Sequence, residues 1–388
     1  MAVVDMRDAE PFGTPIAVYT DRDLLPVALR AAAGGHIAVI IRDQADPQQI
    51  RRALGQQRRV TVIADPGRWR HGTARPDQPL QLPDRGLTDT AGGGAVPAAV
   101  ARSGSVDLGT WAHNYRADAG VDAVFTPSRF VEAGDWETLR ALRNTFAESL
   151  TPDDRVVGLI ATNASMLDAG TLATFLKELE PLGDLRLGFV FAGPREALAH
   201  RSRVTGLRTV LTEHRGAWLL GVDALIASDA LCAGAGMVGI GIRSGMRWPA
   251  APDRGENTAF ARQGIPGRLH RDLLTYRSPV TYADWYFDSV PSACGVCGRP
   301  PDRYTPTPEG NNEIHEHNVH AAAALCEDLL QVDADKRADW LNNERLEAAD
   351  HYRDLDRSQS RVDIDPTLVA LIRRDNPGWR APVLAPQP

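Results

Sequence analysis

From about residue 37, short runs rich in Val, Ile and Leu alternate with stretches whose apolar positions recur at helical spacing. The runs are IAVIIRD (37–43), VTVIADPG (60–67), DAVFTPS (122–128), VVGLIATN (156–163), RLGFVFAG (186–193), LRTVLTEH (207–214), DALIASD (223–229) and MVGIGIR (237–243). Each is continuous rather than alternating, the pattern of parallel strands buried on both faces. DPQQIRRALGQ, DWETLRALRNTFAESL, AGTLATFLKELEPL and RGAWLLG read as helices between them. Strands joined by crossover helices of one hand predict an α/β fold of the (β/α)8 TIM-barrel type over residues 37–250. A doubly wound open sheet is the alternative fold. Residues 1–36 read as a lead-in, 251–345 as a metal-binding subdomain with a helix, and 346–388 as a charged tail in which TLVALI docks as a helix.

Two passages interrupt the pattern. Residues 67–110 hold the Gly- and Pro-rich segments RPDQPLQLPDRG and AGGGAVP, too long for an ordinary βα loop, so they read as a lid, a binding insertion or a disordered surface loop. Residues 246–290 are polar and carry arginines, and they lead into SACGVCGRPPDRYTPTPEGNNEIHEHNVHAAAALC. There Cys294 and Cys297 form a C-x-x-C knuckle, followed by His315, His317 and His320. Thiolate and imidazole are the ligands zinc prefers, and a two-residue gap lets both sulfurs reach one tetrahedral ion. The predicted ligands are Cys294, Cys297, His317 and His320, with His315 or Cys326 as replacements for the fourth. Asn311 or Asn312 caps a helix that starts near Glu313, which puts His317 and His320 on one face. A reduced cysteine pair beside a surface histidine cluster is the competing account.

The chain has 388 residues, enough for one barrel of about 250 residues plus an appendage. A net charge of -7 leaves no global footprint for a polyanion, so nucleic acid would need local basic patches. Two candidates are Arg51, Arg52, Arg58 and Arg59, and Arg262, Arg268, His270 and Arg271. Four cysteines, two of them in the knuckle, point to a reducing cytoplasm and not to a disulfide scaffold. No run of apolar residues is long enough to span a membrane, and the first thirty residues lack a signal-peptide core.

In a barrel the reactive groups gather at the C-terminal ends of the strands. Those ends hold Asp65, Ser128, Asn163, Gly193, Glu213 with His214, Asp229 and Arg243. Asp65 and Asp229 end apolar strands, where an unused acid is costly, and two acids are what substitution at a sugar carbon requires. Helix capping is the plainer account of each. Gly67 belongs to the DPG turn after Asp65, and Arg68, Trp69 and Arg70 follow it, an aromatic and two cations suited to a base and its phosphates.

The knuckle, the segment His317-Asn318-Val319-His320 and the preceding barrel pattern together resemble the tRNA-guanine transglycosylase superfamily, over roughly residues 35–335. That family has a barrel with a zinc subdomain near its end and a C-x-C-x-x-C motif; Ser292 stands where the motif's first cysteine falls. Its DSGGFQ motif is similar to Asp65-Pro66-Gly67-Arg68-Trp69-Arg70, and its GLAVGE-type base-binding segment to Phe189-Val190-Phe191-Ala192-Gly193. Gly221-Val222-Asp223 matches the opening of its GIDMFDCV strand, but Ile226 occupies the attacking aspartate's place, so Asp229 is reached by a three-residue slip. The resemblance implies an exchange of guanine in DNA or tRNA for a 7-deazaguanine through a covalent aspartyl intermediate. Asp65 and Asp229 are then catalytic, Gly67, Trp69, Asn163, Gly193 and Arg243 bind substrate, and zinc is structural. Expected partners are nucleic acid and a purine or 7-deazapurine base; no membrane is expected, and a homodimer is compatible with the chain. A zinc-stapled barrel that binds nucleic acid or a protein without catalysis, and a hydrolase with a catalytic metal, are the competing functions.

Overall fold

The computed structural model describes residues 13–34, 36–42, 47–55, 60–82, 107–151, 155–252, 265–356 and 362–381. Eight parallel strands close into a barrel in chain order. They are β1 (Ile16–Thr20), β2 (Ala38–Arg42), β3 (Val62–Asp65), β4 (Ala123–Phe125), β5 (Val156–Asn163), β6 (Leu187–Ala192), β7 (Trp218–Val222) and β8 (Met237–Gly241). The ring is sealed where β1 pairs with β8, with Ala17 opposite Gly239 and Tyr19 opposite Gly241. Phe125 of β4 and Trp218 of β7 meet edge to face at 5.6 Å. Strands that are not neighbours can do this only through the barrel interior. Gly188 of β6 makes room for that contact, because a Cβ there would lie 2.7 Å from the Phe125 ring.

The strand count agrees with the sequence pattern, but the set of strands does not. IAVYT, inside the expected lead-in, forms β1. LRTVLTEH lies in a helix, DALIASD lies in the next one, and the supposed helix RGAWLLG supplies β7. The surrounding helices are α1 (Leu25–Ala31), α2 (Pro47–Leu54), α3 (Leu108–Ala119), α4 (Trp136–Ser149), α5 (Ala169–Leu179), α6 (Arg201–Glu213), α7 (Ala224–Ala233) and the short α8 (Ser244–Arg247). Helix α6 buries Val204, Leu207, Val210 and Leu211, positions three, six and seven residues on from the first, which is a helical face. Its Val and Thr content imitates a strand.

After α8 come a two-stranded hairpin of β9 (Arg268–His270) and β10 (Thr275–Arg277), then α9 (Pro279–Trp285), α10 (Pro308–Gln331), α11 (Arg337–Asp356) and α12 (Pro366–Asp375). Helix α10 starts earlier than its asparagines suggest, capped by Thr307, whose hydroxyl accepts from the Gly310 amide at 3.1 Å. It packs on α1, α7, β9 and β1, so a helix of the appendage covers the β1–β8 seam. TLVALI forms the body of α12. Of the long insertion, residues 67–82 are built against the barrel, and AGGGAVP lies outside the described residues. No helix among the described residues is long and apolar enough to cross a membrane.

Candidate active site and metal centre

Asp65 ends β3 in register with Arg42 of β2, and it is fully buried. Three neutral groups donate to its carboxylate: the Tyr19 hydroxyl to Oδ2 at 2.5 Å, the Gly67 amide to Oδ1 at 2.8 Å and Trp69 Nε1 to Oδ2 at 3.4 Å. Gly67 reaches this position at φ 65, a left-handed conformation that glycine adopts without strain. The Arg42 guanidinium lies 5.6 Å from the centre of the Tyr19 ring. Tyr19 is not legible as a site residue because its strand, β1, falls in the expected lead-in. The signal was present, since IAVYT is a continuous apolar run followed by a helix with Pro26 in its first turn. Trp69 is wholly buried. Its ring therefore steadies Asp65 and is not an open platform for a base.

Asp229 lies elsewhere. It sits in α7, seven residues past the end of β7, because the chain turns into a helix at Ala224 instead of continuing as a strand. Arg208 of α6 grips it with two bonds of 2.9 and 2.7 Å, and Arg345 of α11 adds a third of 2.6 Å. Asp375, at the end of α12, accepts from the same two arginines. Burial pushes the Asp229 carboxyl up, but Arg345 and Arg208 outweigh it and hold the group below the usual carboxylate range. The expected pairing of Asp65 with Asp229 thus fails: they share no partner, and Asp229 ties the outer helices together.

The acid that does end β7 is Asp223. Its Oδ1 accepts from the Ile226 amide at 2.9 Å and so caps α7. Burial, then the Asp365 carboxylate, push it up to about 7. It lines a cavity of about 20 Å³ with Glu196, Arg247, Trp248 and Thr367. That space holds about one water molecule, not a base.

The remaining expected substrate groups are mostly engaged within the protein. Asn163 ends β5, and its Oδ1 accepts from Ser165 at 2.9 Å. The Gly193 amide already donates to the Pro249 carbonyl at 2.9 Å, so it is not offered to a base. Arg243 forms an ion pair with Asp21 of the β1–α1 turn. Glu213 and His214 fall at the end of α6, not at the end of a strand. Of the expected basic patches, Arg58, Arg59 and Arg262 lie outside the described residues. Arg271 pairs with Asp328 and Glu344. Arg268 is buried, and its guanidinium donates to the carbonyls of Pro300, Arg303 and Arg299 and to Cys297 Sγ. It braces the knuckle and is not open to phosphate.

Cys294, Cys297 and His317 come together as expected, their ligand atoms all within 4.8 Å of one another, and this group could hold a metal ion. His317 Nε2 lies 2.8 Å from the Leu269 carbonyl, which can only accept, so that nitrogen carries the proton. Nδ1 is thereby left as the ligand, 3.2 Å from Cys297 Sγ. Burial, with Arg268 next, pushes His317 down to about 4, so the ring is neutral at physiological pH. Asn318 fixes the helix beside it, accepting from the Leu269 amide and donating to the Gly267 carbonyl.

His320, the expected fourth ligand, stands outside this group. The two histidines are three apart on α10 and so are face neighbours, but only His317 brings a ring nitrogen to the two sulfurs. Neither replacement serves. His315 Nδ1 lies 3.2 Å from the Ile242 carbonyl at the barrel end. Cys326 is a core residue whose thiol burial pushes up to about 12. Ser292 Oγ donates to Asp272.

No protein-family model matches the chain, and no curated protein matches it.

Proposed function

We propose that the protein works on a purine base of nucleic acid at the mouth of the barrel, as a base-exchanging transglycosylase. The observation that carries this reading is Asp65, a buried acid at a strand's C-terminal end, held by Tyr19, Trp69 and Gly67. The resemblance of residues 65–70 and of the knuckle to the tRNA-guanine transglycosylases supports it. In such an exchange the bond from the ribose to guanine breaks and a bond to a 7-deazaguanine forms. One proton is gained by the leaving base and one is lost by the incoming base. Asp65 is the group placed to carry that proton, and its three fixed donors keep it from swinging away from the base.

Zinc fits the knuckle, because two thiolates and a neutral imidazole with its far nitrogen tied to a carbonyl are zinc's usual donors. Cys294, Cys297 and His317 would hold it, and its contribution would be to close the appendage against α10.

A second reading is favoured by Asp229: with that acid bound into an ion network, the chain would bind nucleic acid without exchanging its base. One experiment separates the two. The full chain is incubated with labelled guanine and either tRNA or duplex DNA. Exchange predicts label in one arm and a loss of at least about 100-fold in Asp65→Asn. Binding of nucleic acid with no label in either arm supports the second reading, and an Asp65→Asn variant as active as the wild type removes Asp65 from the chemistry.

A further inference from the structure

The segment after β3 does not leave the barrel face at once. Residues 72–82 run beside the segment that follows β4, through bridges from Thr73 to Phe130 and from Leu80 to Ser128. The amide of Phe130 donates to Gly72 O at 3.1 Å, Ala74 to Phe130 O at 2.7 Å, Arg129 to Pro79 O at 3.0 Å and Gln81 to Pro127 O at 2.8 Å. This backbone lattice fixes Arg75, at the turn of the excursion, and Arg129, just after β4, on the side of the barrel where Arg68 follows Asp65. Arg68 and Arg129 are half-buried and Arg75 is exposed.

The Nε atoms of Arg68 and Arg129 are buried without a hydrogen-bond partner, and none of the three side chains has an acidic partner among the described residues. Burial, then the charges of Arg75 and Arg68, hold Arg129 below the usual arginine range, and no carboxylate offsets them. All three remain cations, since arginine keeps its proton in proteins. Three like charges held together without an acid are unfavourable unless an anion completes them. Each brings a planar fork of donors that matches phosphate oxygens.

We propose that Arg68, Arg75 and Arg129 form a phosphate site on the β3–β4 side of the mouth, which grips a phosphodiester of the strand whose base meets Asp65. This rests on the base-exchange reading for the choice of nucleic acid over a free anion. The site would set which nucleotide enters, since a phosphate held beside Asp65 fixes the register of the strand.

The test uses the full chain and a fluorescein-labelled single-stranded oligonucleotide, with anisotropy read over a series of salt concentrations. Arg75→Gln and Arg129→Gln should each weaken binding about three- to tenfold and reduce the salt slope by about one, and Arg75→Glu should weaken it further. Arg75 is exposed, so its variants keep the fold, which thermal unfolding checks. Inorganic phosphate and a nucleoside monophosphate are competitors in parallel arms, and both should displace the oligonucleotide only at far higher concentration. Unchanged affinity and slope in Arg75→Glu and Arg129→Gln overturn the site. Displacement by inorganic phosphate at the oligonucleotide's own concentration also overturns it, assigning the arginines to a free anion. The labelled-guanine assay separates this from the base-exchange reading: arginine-dependent binding without label sinks only the catalysis, whereas label with arginine-independent binding sinks only this site.

Discussion

Asp65 and Asp229 are the same side chain at nearly the same burial, 0% and 1% exposed, yet the protein treats them in opposite ways. The side-chain and backbone donors described for Asp65 are a phenol, an indole and an amide, at the C-terminal end of a strand. Asp229 is met by two guanidinium groups, one of them 99% buried, and shares them with Asp375. Neutral donors hold a carboxylate in place while leaving its charge to act on something else. Paired cations cancel that charge and turn the acid into a clamp between helices. Depth alone therefore does not set what a buried acid does; the charge of its partners matters as much.

The comparison breaks most visibly if Asp229 is removed. Asp229→Ala leaves the buried Arg345 with Asp375 as its remaining acid and should cost about 3–5 kcal/mol in chemical denaturation, with α12 loosening first. Asp65→Asn should cost only about 1–3 kcal/mol, because a neutral amide leaves one of its donors poorly matched. Equal losses in the two variants would mean that both acids serve the fold alike.

The metal centre gives a smaller, more local effect. Elemental analysis should find about one zinc per chain in the wild type and in His320→Ala, and none in Cys297→Ser or His317→Ala. Zinc lost from His320→Ala would restore that residue as a ligand.

Asp223 gives the smallest effect, and its sign is fixed by its proton. Its folded pKa, about 7, lies above the ordinary carboxylate value, so the folded state binds more protons than the unfolded chain between about pH 4 and 7. The stability it contributes is full below that window and falls as pH rises through it. Asparagine is an equally good helix cap. Asp223→Asn should therefore flatten the fall in melting temperature between pH 5 and 8, and a fall as steep as the wild type's would refute the shift.

The barrel was legible because strands buried on both faces write themselves as unbroken apolar runs. The same property hid the seventh one. From Ala217 to Leu231 every residue is buried, in β7 and in α7 alike, so neither a period of two nor one of 3.6 shows. Placing the strand on DALIASD moved its end by seven residues and carried Asp229 to a mouth it never reaches. Two members of the group that could hold a metal were legible from their spacing, and the third from its chemistry. The Nδ1 tautomer of His317 was not, because it depends on a carbonyl 48 positions away. The arginine cluster was also invisible, since hydrogen bonds between two loops assemble it.

The placement of α10 has a consequence for anyone who would shorten this chain. The first and last staves of the barrel meet beneath a helix that also carries His317, so the appendage is the hoop and not an ornament. A fragment that stops after β8 would have every stave but only the bare β1–β8 ladder to keep the joint shut.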